Sequence, residues 1–285
     1  LNLAPKILSI FYRRLVKITP RDQVDFTIFS RLFMKNSFWF IVAGGTLGAF
    51  GALLVYLGNP GNMGICAACF LRDTAGALGF HRAGVVQYVR PEIIGLIAGG
   101  FIASLFWTKE FGATTGSSPF LKFFLGAFAM IGCLVFLGCP WRAFLRLGGG
   151  DMTAISGLAG LIAGVFCGFL FKKRGYETSP EIRVNAALGA LPLIIGALLL
   201  AASVFGLKIG ENGALFASVK GPGSQHAPVF ASFALAAIVG VFMHKSKFCS
   251  VGAFGRAFRG DFSMLWGVVS VVAFASVVNA ALGQY

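Results

Sequence analysis

The sequence predicts an all-α polytopic membrane protein, with about seven to nine transmembrane helices plus re-entrant half-helices arranged as an inverted repeat. Three observations carry this. The 285-residue chain is 57% hydrophobic and only 12% charged, with a mean hydropathy of +0.82, whereas soluble domains carry about 25% charge. Apolar runs recur at the length needed to cross ~30 Å of hydrocarbon as a helix. A motif of Cys, Arg, Gly and Asp occurs twice at one spacing, each time between two such runs. Alternating strands of about ten residues, the mark of a barrel, are absent.

Residues 1–37 form a basic amphipathic segment. Within it Ile7, Leu8, Phe11, Leu15 and Ile18 share one helical face, with Lys6, Arg13, Arg14 and Lys17 elsewhere. That pattern predicts a helix lying in the membrane interface. It has no apolar h-region with a small-residue cleavage site, so it does not read as a signal peptide.

Residues 38–283 read as a single transmembrane domain. Seven apolar runs are expected as spans, at 38–57, 92–107, 119–138, 152–171, 184–206, 228–244 and 262–282. The connecting stretches 64–80, 140–147, 213–219 and 249–258 are apolar enough to dip into a bilayer where protein covers them. On a seven-span path with the N-terminus in the cytoplasm, 17 of the 24 Lys and Arg fall inside. The positive-inside rule therefore favours that orientation. It also explains the net charge of +14 without nucleic acid, for which no binding signature is present.

The repeat joins units of about 38–171 and 184–283. Pro119 opens a span that ends at Cys139, with Arg146 seven residues on and Gly150-Asp151 after it. Pro228 opens a span that ends near Cys249, with Arg256, Gly260 and Asp261 at the same intervals. The offset is 110 residues from Cys139 to Cys249. Three crossings separate the two units, so they run in opposite directions. The stretch Gly64-Ile65-Cys66-Ala67-Ala68-Cys69-Phe70-Leu71-Arg72-Asp73 is a partial relative, because Cys69 to Arg72 has the spacing of Cys139 to Arg142.

Six cysteines are present. Cys133 and Cys167 fall inside apolar runs and read as packing residues. The other four lie in polar, glycine-bearing stretches. Cys139 precedes Pro140, which suits the first position of a short helix, and Cys249-Ser250 repeats the arrangement without the proline. A thiol at a helix N-terminus meets free backbone N–H groups, at a spot that also attracts anions. Thiols at such places could pass along a soft, sulfur-seeking solute, with Arg72, Arg142, Arg146 and Arg256 neutralising oxyanion oxygens. Asp151 and Asp261 read as caps for the following spans. Loop 207–227, with Ser218, Lys220 and Ser224, is either a surface connection or a dipping, solute-lining loop.

Cys66-x-x-Cys69 could act as a redox dithiol, making the chain a membrane thiol/disulfide oxidoreductase. A metal site is not expected, because His81, His226 and His244 are scattered. No cofactor motif or P-loop is present. No Asp or Glu lies mid-span, with Glu92 at a span start, so no coupling ion is visible.

The stretches 61–73, 138–151 and 220–228 together resemble the YeeE/YedE family of inner-membrane sulfur-compound transporters, in particular its selenium-metabolism-associated YedE branch. The resemblance covers about 38–283. It implies a pseudo-symmetric inverted-repeat carrier in the bacterial inner membrane, with loops dipping toward its centre. It further implies that one cysteine per loop lines the path and handles the terminal sulfur of a thiosulfate-like solute. Carried over, those positions are Cys69 or Cys66, Cys139 and Cys249; the doubled cysteine of the first loop departs from the family pattern. The expected partners are the bilayer, a small sulfur or selenium solute, and a cytoplasmic sulfur- or selenium-carrier protein at the basic stretches 172–183 and 245–261.

Overall fold

The computed structural model describes residues 20–109, 111–116, 118–176, 181–206 and 215–285. The amphipathic face expected over 5–18 lies outside these residues. Helix α1 runs from Pro20 to Tyr56, so the second half of the basic segment continues without a break into the first apolar run. The remaining helices are α2 (Ala67–Ala77), α3 (Pro91–Ile102, prolonged by a π-helical turn Ala103–Trp107), α4 (Pro119–Val135), α5 (Pro140–Gly148), α6 (Ala154–Lys173), α7 (Ala187–Val204), α8 (Val229–Ser246), α9 (Ser250–Ala257) and α10 (Leu265–Ala281). All seven apolar runs are helical. Among the described residues five helical stretches are long and apolar enough to cross a bilayer, two of them, Pro119–Gly148 and Val229–Ala257, counted together with the short helix that follows, while Pro91–Trp107 and Leu265–Ala281 are shorter.

Three of the four connections expected to dip are the short helices α2, α5 and α9. The described part of the fourth, 215–219, is not helical. Its backbone is satisfied by other segments instead, the Phe216 N–H donating to the Ala77 carbonyl and the Ser218 N–H to the Gln87 carbonyl. The chain is also not purely α. Ala113–Gly116 pairs antiparallel with Glu181–Val184, a small ribbon in which Thr114, Ile182 and Val184 suit a pleated surface.

Two close helix pairs form the centre. In α1 against α10, a side chain at Gly44 or Gly48 would overlap the carbonyl oxygens of Gly267 or Val271. In α3 against α8, Gly95 and Gly99 meet the Phe233 and Ala237 carbonyls, and Gly240 meets that of Leu96. Small residues four apart let backbones approach in this way, and dispersion then holds the helices together. By contrast α4, α6 and α7 are almost wholly exposed, with Phe120, Phe123, Phe128 and Leu198 pointing outward. Such an apolar exterior suits lipid. Cys167 lies on that exterior instead of packing, whereas Cys133 is half-buried against the core.

Candidate functional site

Three short helices each begin at a cysteine. Cys66 caps α2 in extended backbone, its sulfur accepting the Cys69 N–H at 3.4 Å. Cys249 caps α9 likewise, accepting the Gly252 N–H at 3.3 Å. Cys139 occupies the cap position of α5, with Pro140 next, but makes no capping bond. It is buried in the same cluster as Cys66 and Cys69. Helix N-caps favour Ser, Thr, Asp and Asn, so three thiols at such positions call for a reason beyond capping.

Folding brings Cys66, Cys69, Cys139 and Arg142 together. The Cys66 and Cys69 sulfurs are 2.7 Å apart. Arg142 on α5 donates from Nη1 to the Cys69 sulfur at 3.4 Å, while its Nε is buried without a partner. Among the described residues no carboxylate pairs with Arg142. The arrangement joins three buried thiols, two helix N-termini and a guanidinium with unused donors. An oxyanion needs such a donor in a water-poor place, and a polarisable sulfur or selenium can rest against the thiols. Cys249, exposed at its own helix, lies outside this group.

The other predicted arginines hold structure. Arg146 donates to Asp151 Oδ2 at 2.7 Å, to the Thr153 hydroxyl at 2.7 Å and to the Phe136 carbonyl at 3.3 Å, which ties α5 to the end of α4. Arg256 pairs with Asp261 at 3.6 Å. The two units match in detail. A left-handed residue stands two positions before each cysteine, Leu137 at φ +60° and Lys247 at φ +52°, and Gly150 and Gly260 sit at φ +83° and +85°. The Asp151 and Asp261 N–H groups donate to the carbonyls of Arg146 and Arg256 at 2.9 and 3.0 Å. Each aspartate also accepts the N–H two residues on, at 3.0 Å. The aspartates thus close an Asx-type turn instead of capping the next helix. The Phe144 and Phe254 rings, 6.5 Å apart, put α5 against α9.

Arg72 donates from Nε and Nη2 to Asp73 Oδ1 at 2.9 and 2.7 Å. Asp73 is fully buried and takes a second cation, Arg90, on Oδ2 at 2.8 Å. Arg90 reaches on to the Pro222 and Gln225 carbonyls at 2.7 and 3.0 Å. This pins the end of loop 207–227 inward, with Gly223 and Ala227 buried and Lys220 exposed. Asp73, Arg90 and Asn59 carry no role in the sequence reading, and Glu92 appears there only as a carboxylate at a span start. The signal available was Arg90-Pro91-Glu92, opposite charges heading an otherwise apolar helix.

The site therefore belongs to a mostly helical protein whose apolar helices fit a multi-pass membrane protein, with a buried thiol–guanidinium cluster at the N-termini of α2 and α5. Comparison of the chain with protein-family models, curated proteins and solved structures finds no match.

Proposed function

We propose that the protein takes up a small sulfur- or selenium-containing anion across a bacterial inner membrane, through a central path lined by cysteines and half-helix N-termini. The observation that carries this is Arg142, whose Nη1 rests on the Cys69 sulfur while its buried Nε has no partner and no carboxylate answers its charge. A buried guanidinium without an acid is costly unless an anion completes it. The seven helical runs, the matched turns after α5 and α9 and the contact between those helices support an inverted repeat, and the distribution of Lys and Arg along the seven-span path favours the N-terminus inside. Cys249 then serves the path at the opposite mouth from Cys139. Each hold on the solute must be weak enough for release, as multi-site conduction requires. The likeness to the YeeE/YedE family points the same way.

The test is uptake of labelled thiosulfate, selenite and related anions by the purified protein in proteoliposomes. Saturable uptake that the unlabelled anion competes away supports the reading; vesicles no more permeable than empty ones overturn it. A second reading, a membrane thiol/disulfide oxidoreductase, is favoured by the 2.7 Å approach of the Cys66 and Cys69 sulfurs. It requires a Cys66–Cys69 disulfide whose redox state follows a quinone or partner thiol, which mass mapping of thiols in native membranes reads directly.

A further inference from the structure

Glu92 opens the first turn of α3 and is fully buried. Its Oε1 accepts from the Asn59 amide at 2.7 Å and from the Ser232 hydroxyl of α8 at 3.0 Å. Its Oε2 is buried with no partner, and among the described residues no Lys, Arg or His pairs with it. Isolated ionised carboxylates are expensive away from water, and inside a membrane they mark ion and proton pathways.

The carboxylate is also a mechanical hub. Asn59 passes the contact on, donating to the Gly64 carbonyl at 3.3 Å and accepting the Ala227 N–H at 2.9 Å. Gly64 lies two residues before the Cys66 cap, and Ala227 ends the loop that Arg90 anchors. Glu92 is therefore bonded directly to α8 and, through Asn59, linked to the inward loop and to the segment that carries the first thiol.

The surrounding charges suit a coupled proton. On its own segment Glu92 has Tyr88 and Arg90. Burial pushes the Tyr88 phenol up to about 12, with the Glu92 charge adding to the effect, so Tyr88 stays neutral; it stacks on His226 from the inward loop. Arg90 is committed to Asp73 on α2, which also holds Arg72. Helix α7 carries no ionisable residue, and those of α8, His244 and Lys245, stand in its last turn, about three turns beyond Ser232. Arg72 and Arg90 are both spent on Asp73, so among the described residues Glu92 has no cation of its own. A proton on Glu92 removes a negative charge from the buried polar region, which favours an anion beside Arg142, whose Nε has no partner. In a low-dielectric interior that loss of repulsion makes proton and anion bind best together.

We propose that Glu92 is the binding site of a coupling proton that enters with the anion; this rests on the transport reading above. A proton needs one lone pair, which Oε2 offers, whereas a sodium ion would need several converging oxygens.

The experiment measures labelled thiosulfate uptake in proteoliposomes under an inward proton gradient, under an inward sodium gradient and under neither, for the wild type, E92Q and E92D. An inward gradient of one pH unit should raise accumulation by up to about tenfold in the wild type and E92D. E92Q, which keeps the acceptor for Asn59 and Ser232, should lose the response. A wild type indifferent to the proton gradient, an E92Q that still responds to it, or a response to sodium alone overturns the proposal. Infrared difference spectra between acid and alkaline pH give a readout that needs no transport. A protonated carboxylic carbonyl band present in the wild type and missing in E92Q keeps the proton site even where no vesicle takes up thiosulfate, an outcome that removes the transport reading alone. Absence of that band in the wild type overturns the site.

Discussion

Arg142 and Cys69 meet across 73 residues of chain, the guanidinium Nη1 donating to the sulfur at 3.4 Å. The bond joins α5 to α2, two short helices that each begin at a cysteine. It places a cation with unused donors against thiols in a setting where water competes little.

The first expectation concerns that cation. A charge-assisted hydrogen bond contributes about 1.5–3 kcal/mol, so R142Q should raise the KM for thiosulfate uptake by roughly ten- to hundredfold. R142K, which keeps the charge but loses the fork, should fall between the two. Initial rates in proteoliposomes over a substrate series give the answer; an unaltered KM in R142Q would remove Arg142 from the path.

The thiols should separate by reactivity. Cys249 is exposed, whereas Cys66, Cys69 and Cys139 are buried. A hydrophilic maleimide should label Cys249 in the folded protein and reach the other three only after unfolding, as mass spectrometry of the labelled peptides will read. C139A and C249A should each abolish uptake while leaving insertion and folding intact. Wild-type rates in both would rule out a cysteine-lined path.

Asp73 holds two guanidiniums with no exposure of its own. Removing one partner of a buried ion pair costs about 3–5 kcal/mol. D73N should therefore destabilise the protein on that scale, seen as a lowered unfolding midpoint in detergent. The R90Q/D73N double variant should lose less than the sum of the single changes, because neither leaves an unanswered charge at the same contact.

Acid should loosen the two matched turns. The Thr153 hydroxyl and then the Arg146 guanidinium hold the Asp151 carboxyl below its usual range. The Ser263 hydroxyl and N–H, with Arg256, do so for Asp261. The folded values lie under the unfolded ones, so the contribution is complete above the unfolded carboxylate range. It is lost as pH falls through the folded values. The unfolding midpoint should drop as pH falls below about 4, with a shallower slope in a D151N/D261N variant. Both carboxylates are solvent-accessible, so the effect should shrink in high salt.

Hydropathy and punctuation, properties of neighbouring residues, are enough to place the seven apolar helices and the short helices α2, α5 and α9. Apolar run length, Pro91, Pro119 and Pro140 at helix starts, and glycines after the last turns are local signals. The repeat was legible for the same reason, since Cys139 to Asp151 and Cys249 to Asp261 each close a turn from within.

Tertiary structure alone decided which polar residues meet across distant parts of the chain. Arg72, Arg146 and Arg256 look alike in sequence to Arg142, yet each finds an aspartate one or five positions away and is spent on it. Arg142 finds a sulfur instead. Asn59, Asp73, Arg90 and Glu92 form one buried polar region only because α3 packs between α2, α8 and the inward loop. Burial and partner choice depend on what arrives from distant chain, and periodicity carries no record of that.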